Sequence, residues 1–316
     1  MTETKDKKSK LLPKLLIVLG VLVVILVVIT FINIRREALS NYDMFSKYSE
    51  EIHSLQNDPA KLESTDYKQL FEAEVADVKI PEVDKPDVLN YYEQTEASTW
   101  ITEPPFDDIC ENNRKQIEST RSFGGKFTRE YISVNTDENF RYAVLLQVKK
   151  LSDEICGDAD TDIEKVKRLS KWTANNIYYD MDAAHNTVDI SVISLENVLS
   201  GRKTTCAGYS NLFSSMCSMQ GIYCVNLRGG TAADGYTPAQ IRQAPTNHEW
   251  TAVICDGKWA YVDTTWGSQN MSINGKLQYG GVNRFYLLMS FENMSCEHRI
   301  DIADHRDFVN CLEEED

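Results

Sequence analysis

The stretch Thr204-Thr205-Cys206-Ala207-Gly208-Tyr209-Ser210 places one thiol at the head of an apolar run that stops at Gly221. The apolar side chains of residues 212–219 predict a helix that begins at Cys206. A thiol there meets unpaired backbone N–H groups and the positive end of the helix dipole. Both favour the thiolate, which is the nucleophilic form of cysteine. The N–H of Cys206 is also a candidate donor to an oxyanion, and Gly208 permits a close approach of chain or substrate.

Further along the chain, Asp256-Gly257 predicts a two-residue hairpin turn between strands at 249–255 and 258–264. If Cys255 pairs with Lys258, His248 and Asp263 become diagonal neighbours on one face of the hairpin. Such neighbours are roughly 7–8 Å apart at Cα, so their side chains can meet. The pattern therefore predicts a nucleophile, a base and an orienting acid. Taken singly, each is more often a core or turn residue, so the hypothesis depends on the three together.

The amino-terminal segment from Leu15 to Ile34 is predominantly apolar and has no charged residue, and five lysines precede it. This length and charge pattern predict a cytoplasmic tail (1–14), a transmembrane signal anchor (15–34) and a body outside the cell membrane. A cleaved signal peptide is the alternative. It is disfavoured because the apolar run exceeds the usual length of about 7–15 residues and lacks a small-x-small site.

The rest of the chain is predicted to be α+β. Spacing of apolar residues indicates a helical stalk, packed on the body or on a second chain, and helices at 140–155 and 163–177, the latter capped by Thr161. Strands are predicted within 71–80, at 127–134, at 222–228 and at 285–289, with a loop from Gly229 to Pro245. The predicted divisions are the stalk (35–58), an extracytoplasmic α/β region (59–156), a core domain (157–300) and a solvated acidic tail (301–316).

Composition excludes several classes of function. A net charge of -15 argues against nucleic-acid binding, which needs clustered cations. Eight cysteines without a CxxC motif or zinc-ligand spacing disfavour redox and zinc proteins, so no cofactor or metal is expected. His53, His185 and His305 are interpreted as surface residues.

Residues 160–300 resemble the transglutaminase-like superfamily of papain-type fold, in its bacterial exported branch. The resemblance is carried by six short stretches: Asn176-Ile177-Tyr178-Tyr179-Asp180, Cys206-Ala207-Gly208-Tyr209, Gly221-Ile222, Asn247-His248-Glu249-Trp250, Gly257-Lys258-Trp259 and Val262-Asp263-Thr264-Thr265-Trp266. It implies a papain-like core in which a helix carrying the cysteine packs on an antiparallel sheet carrying the histidine and aspartate. A strand followed by a histidine, from Phe285 to His298, also resembles the family, without a role derived for it.

The resemblance further implies Cys206 as nucleophile, His248 as general base and acid, Asp263 as orienting residue and an acyl-thioester intermediate. Tyr179 is implied as a site-lining or oxyanion residue. Calcium dependence is not expected, because no loop of alternating Asp and Asn is present.

Three functions follow as hypotheses. The first is a cysteine-dependent enzyme that acts on amide bonds of protein or cell-wall peptide substrates, with water or an amine as acceptor. The second is a non-catalytic binding or scaffold module of the cell surface that retains the fold, which the three filled positions count against. The third is a thiol redox protein, disfavoured as above. Oligomeric state is open.

Overall fold

The computed structural model describes residues 3–83, 87–93, 107–122, 129–184, 189–231 and 238–310. It divides into two units, Met1–Ser46 and Lys47–Asp316. Helix α1 (Glu3–Asn57) forms the first unit with its residues up to Ser46 and continues into the second unit. Within it, Leu16–Asn33 has a mean hydropathy of 3.1 and no buried side chain. By length and composition this stretch can cross a membrane.

The second unit is mixed α+β, which confirms the predicted fold class. After α1, its described helices are α2 (Pro59–Glu63), α3 (Tyr67–Val75), α4 (Asp107–Glu118), α5 (Glu138–Cys156), α6 (Asp162–Asn176), α7 (Met181–Ala184), α8 (Ile190–Ile193), α9 (Leu195–Gly201), α10 (Cys206–Ser218), α11 (Pro238–Gln243), α12 (Thr264–Gly267) and α13 (Phe291–Glu297), with 3-10 turns at Arg129–Tyr131 and Arg284–Leu287.

The described strands form two sheets. They are β1 (Arg121–Ser122), β2 (Tyr178–Asp180), β3 (Lys203–Thr204), β4 (Tyr223–Thr231), β5 (His248–Cys255), β6 (Lys258–Val262), β7 (Met271–Ile273), β8 (Lys276–Gln278) and β9 (His298–His305). The larger sheet has the order β1-β9-β4-β5-β6 and the smaller one β3-β2-β7-β8. In the run β9-β4-β5-β6, each strand is antiparallel to its neighbour. The small sheet leads into Cys206, because β3 ends at Thr204.

The β5–β6 hairpin has the predicted register, with Cys255 paired to Lys258. Asp256 and Gly257 both adopt positive φ, 51° and 75°, as a type I′ turn requires. The ladder ends at Thr251↔Val262, earlier than predicted, because the chain turns into α12. His248 therefore does not face residue 265 across a strand pair, although it still meets Asp263.

Helix α10 begins at Cys206, as predicted, and is buried along most of its length. It packs against β4 and β5 of the larger sheet and against α6. The hydroxyl of Tyr209 donates to the carbonyl of Ile177 at 2.7 Å, which ties the first turn of α10 to the end of α6. These contacts place the amino end of α10 at the end of the larger sheet where β5 begins.

The end of α1 that belongs to the second unit, residues 47–57, packs within that unit. Ile52 and Leu55 are buried, and the Tyr48 hydroxyl donates to Glu154 at 2.7 Å. Packing of this part of the predicted stalk on the body is thereby confirmed, since its apolar stripe faces inward.

Four sequence predictions of local structure were wrong. The stretch at 71–80 contains the end of α3 instead of a strand, and residues 129–131 form a 3-10 turn. Residues 284–287 also form a 3-10 turn, in which the Asn283 side chain caps Phe285. A short buried apolar run does not distinguish strand from helix by its periodicity. Gly229 and Gly230 lie in β4 instead of a loop.

The predicted boundary at residue 300 was wrong as well. It falls inside β9, which occupies an interior position of the larger sheet, and the following Arg306 and Phe308 are buried. Long-range pairing with β4 determines this strand. The acidic residues 313–316 lie outside the described residues.

We expect Gly257→Ala to destabilise the second unit by about 1 kcal/mol, because an L-residue is strained at positive φ. No atom lies within 4 Å of the added Cβ, so the cost is conformational. Urea unfolding of the full-length chain in detergent measures it. Gly201→Ala in α9 is the control, since its added Cβ is 4.0 Å from the nearest atom and no positive φ is involved. Equal stability of the two variants would contradict the assigned turn.

Candidate active site

Asp263 lies between β6 and α12, and both of its carboxylate oxygens are engaged. Oδ1 accepts the backbone N–H groups of Thr265 and Trp266, at 3.0 and 2.9 Å, and so caps α12. Oδ2 lies 2.7 Å from His248 Nε2 and 3.2 Å from His298 Nε2. The side chain is fully buried. Burial alone would raise the pKa of Asp263, but the charge and hydrogen bond of His248 and the hydrogen bond of His298 hold it well below its usual range.

His248 is the first residue of β5 and is 8% exposed. An ionised carboxylate only accepts, so His248 Nε2 carries the proton in the contact with Asp263. Burial lowers the pKa of His248, but Asp263, followed by a hydrogen bond with the Cys206 side chain, outweighs burial and raises the pKa to about 10. His248 is therefore a cation at neutral pH, and Nδ1 is the ring nitrogen left for the thiol.

Cys206 is half-buried, so a substrate can reach its sulfur. Other thiols of the described part are kept protonated, because burial raises the pKa of Cys110, Cys156, Cys217, Cys255 and Cys296. Cys206 alone among the seven described cysteines combines partial exposure with a hydrogen bond to a histidine. The three predicted residues thus lie in one chain of contacts, from thiol to imidazole to carboxylate.

Gly208 allows the first turn of α10 to lie against β3. A Cβ added at this position would come within 1.9 Å of Thr204 Oγ1. Thr204 is itself held by a 2.7 Å hydrogen bond to the carbonyl of Val192. The close approach is therefore between two parts of the chain, and it positions the backbone of Cys206.

Tyr179 lies in β2, paired with Thr204 on one side and Met271 on the other. Burial, together with the charges of Cys206 and Asp263, raises its pKa to about 12. Its hydroxyl therefore keeps its proton at neutral pH and can donate. The structure brings Tyr179 close enough to both residues for their charges to act on it, next to the strand that precedes Cys206.

His298 is a site residue that sequence reasoning did not assign. It is fully buried and, with Trp250 and Trp266, surrounds the His248–Asp263 contact. The Trp266 ring stacks on His248 at 5.2 Å, and the His298 ring lies 4.6 Å from Trp250. The one sequence signal was the stretch from Phe285 to His298, which resembles the family but gave no role for the histidine.

The other histidines are placed differently. His53 is exposed and His185 lies outside the described residues. His305 is half-buried in β9, with its Nδ1 2.8 Å from the Cys224 carbonyl and its ring stacked on Tyr223 at 4.3 Å.

The same cluster contains a set of donors that could hold a metal ion. His248 Nε2, Asp263 Oδ2 and His298 Nε2 all lie within 4.8 Å of one another. Two imidazoles and a carboxylate suit several transition metals. The two contacts to Oδ2 also have hydrogen-bond lengths, so protons alone are sufficient to account for the arrangement. The absence of a metal stays a prediction.

Comparison with known proteins shows a similarity over part of the chain. Residues 149–264 match the family model of the transglutaminase-like superfamily, a span that includes Cys206, His248 and Asp263. The chain contains a transglutaminase-like domain.

Particular relatives are similar over part of this chain. Kyphoscoliosis peptidase of Homo sapiens is 34% identical over 152 residues, which cover 46% of this chain and 23% of that protein. Hillarin of Drosophila melanogaster is 30% identical over 125 residues, which cover 39% of this chain and 15% of that protein. The chain thus spans less than a quarter of either relative. A crystal structure described as a TGase covers 47% of this chain and 37% of its own, with 22% identity and a TM-score of 0.34.

We expect the stabilising contribution of His248 to decline at high pH. Its folded pKa of about 10 lies above the ordinary 6.5, so the contribution is complete below about pH 6.5 and is lost as the pH rises through 10. The measurement is the difference in free energy of unfolding between wild type and His248→Gln, from urea titrations at pH 6 to 11. His305→Gln is the control, since it removes a histidine outside the Asp263 cluster. A difference that stays constant or grows across this range would contradict the ion pair.

Proposed function

We propose that this protein is a cysteine-dependent acyl-transfer enzyme that acts on amide bonds, with Cys206 as nucleophile, His248 as acid and base, and Asp263 as orienting residue. The observation that carries the proposal is the chain of contacts at the amino end of α10. The Cys206 side chain interacts with His248 and helps to raise its pKa, and His248 lies 2.7 Å from a buried, ionised Asp263. The transglutaminase-like match supports a cysteine-dependent enzyme.

The chemistry follows from the proton positions. The Cys206 thiolate bonds to the amide carbonyl carbon, and His248 gives its Nδ1 proton to the nitrogen as the C–N bond breaks. The leaving amine departs and a thioester remains. Water or an amine then attacks the thioester, His248 takes up its proton, and the thiolate is released with a carboxylic acid or a new amide as product.

Two groups are suited to the negative charge that develops on the carbonyl oxygen. The first turn of α10 presents backbone N–H groups, including that of Cys206, at the positive end of the helix dipole. Tyr179 supplies a protonated hydroxyl from β2. Asp263 keeps the His248 ring in one tautomer and stabilises its cation, as the acid of a catalytic triad does.

Proteins or cell-wall peptides are the proposed substrates, because both present amide bonds to a half-exposed thiol. The human relative is named a peptidase, which supports peptide bonds as the bond class. We further propose that residues 15–34 anchor the chain in the cell membrane, with residues 1–14 in the cytoplasm and the body outside. The apolar stretch Leu16–Asn33 and the lysines before it support this topology.

Cys206→Ala is expected to abolish turnover, and Asp263→Asn to lower kcat by roughly 10³–10⁴-fold, because the amide favours the wrong histidine tautomer. Full-length protein in detergent is assayed on methylated casein, with a fluorescent cadaverine for amine incorporation and new amino termini for hydrolysis. The ratio of the two products assigns the acceptor. Iodoacetamide alkylation at pH 6 is measured in parallel and should be fastest at Cys206.

Cys156→Ala is the matched control, because it removes a buried thiol at the end of α5. It should retain activity. If wild type and Cys206→Ala do not differ in turnover, and Cys206 is alkylated no faster than Cys156, the proposed enzymatic function is excluded. The non-catalytic binding or scaffold module then becomes the function of this protein.

The proposed topology is tested on intact cells that express the full chain with an amino-terminal tag. We expect added protease to degrade the body and leave the tag, because a cytoplasmic amino end is protected. Permeabilised cells are the control, in which both are degraded. A body that resists protease until the cells are permeabilised would contradict the proposed orientation.

A further inference from the structure

His298 occupies the junction of α13 and β9, beyond the end of the family match at residue 264. Its Nε2 lies 3.2 Å from Asp263 Oδ2, the same oxygen that accepts from His248. The side chain has no exposed surface. The orienting carboxylate of the proposed site is therefore shared between two imidazoles.

We infer that His298 is a positioning residue whose neutral imidazole donates from Nε2 to Asp263, and so holds the carboxylate ionised and turned toward His248. The inference rests on the proposed function and deepens it. It adds a fourth side chain to the site, from a part of the chain outside the family match. Since His298 does not touch Cys206 in the described contacts, it acts through Asp263.

The neutral state follows from the surroundings of the ring. Indole rings of Trp250 and Trp266 lie 4.6 and 4.7 Å away, so a charge on His298 would be poorly solvated. Burial lowers the pKa of His298, and the His248 cation also disfavours a second positive charge, against the opposing effects of Asp263 and of the Met294 backbone. The contacts from α4 and β4 come from the uncharged Asn113 and Thr231.

Asn113 in α4 fixes the backbone that directly follows this histidine. Its Nδ2 donates to the His298 carbonyl at 2.9 Å, and its Oδ1 accepts from the Ile300 N–H at 2.7 Å. Asn113 is fully buried. A helix far upstream of the matched domain thus sets the position from which His298 reaches Asp263.

Strand β4 lies between the two histidine-bearing strands and leaves room for them. Gly229 pairs with His248 on one side and with Ile300 on the other, where the register shifts. A Cβ at this position would come within 1.8 Å of the Arg299 carbonyl oxygen. Bulges of this kind re-aim side chains near active sites. The irregularity allows β9 to approach and direct His298 toward Asp263.

The tautomer of His298 is a direct test that needs no substrate. Full-length protein labelled with ¹⁵N-histidine is studied by NMR in detergent, with each ring assigned by substitution. We expect His298 to stay neutral with its proton on Nε2 from pH 5 to 8. His305, on the same strand, is the internal reference, since its Nδ1 must donate to the Cys224 carbonyl. A His298 that titrates in this range, or carries its proton on Nδ1, overturns the inference.

The functional consequence is tested with His298→Leu and His298→Gln. Leucine removes the donor, so kcat/KM should fall about tenfold to hundredfold, the effect of losing one hydrogen bond to a charged group. The pH midpoint of Cys206 alkylation should rise, because Asp263 then holds the His248 cation less well. Glutamine has an amide that can donate over a similar distance, so His298→Gln should restore much of kcat/KM and of the alkylation midpoint. Asn113→Ala should change kcat/KM and the alkylation midpoint in the same direction as His298→Leu, but by a smaller amount.

His305→Leu is the control for a half-buried histidine lost from β9 and should leave the alkylation midpoint unchanged. An active wild type whose His298→Leu variant keeps the same midpoint and kcat/KM overturns the inference while the proposed function stands. An inactive wild type with an Nε2–H His298 overturns the function alone. One metal ion per chain that is lost in His298→Leu would make His298 a metal ligand and overturn its role as a donor.

Discussion

A carboxylate with four donors is the constraint on which the rest of the site depends. Asp263 is fully buried, and an isolated charge there would cost many kcal/mol. Two backbone N–H groups of α12 hold Oδ1, and two imidazoles hold Oδ2. The aspartate therefore serves as helix cap and as orienting acid together. Removing any one donor leaves part of a buried charge unsatisfied. The segments that supply the donors, α12, β5 and β9, must therefore come together with the turn after β6, which supplies the carboxylate.

The fold brings these distant segments of the chain together at the end of the larger sheet where β5 begins. Strand β5 supplies His248, the turn after β6 supplies Asp263, and β9 supplies His298. Helix α10 packs on the same sheet and brings Cys206 to His248. Rigid elements on each side hold the side chains, which a site that depends on hydrogen-bond lengths requires. Gly229 and the register shift beside it in β4 are the local irregularity that allows β9 to approach the site.

Local signals in the sequence were sufficient for Cys206, His248 and Asp263 to be predicted as neighbours. Asp256-Gly257 determines the hairpin register within a few residues, and Thr161 caps α6 as its spacing with Glu164 indicated. The same local reasoning failed at 71–80 and 285–289, where short apolar runs have no distinctive period. His298 and Asn113 could not be paired with the site, because their contacts depend on strand pairing and helix packing across long stretches of chain.

The two histidines on Oδ2 are chemically alike and are driven to opposite states by their neighbours. His248 has one edge toward Cys206 and becomes a cation, since a carboxylate and a thiol group both favour its charge. His298 is fully buried beside two indole rings, and a second cation beside His248 would be repelled. One negative charge thus stabilises one positive charge and accepts one neutral donor. This asymmetry keeps the mobile proton of the cluster on His248, next to the sulfur where the proposed chemistry uses it.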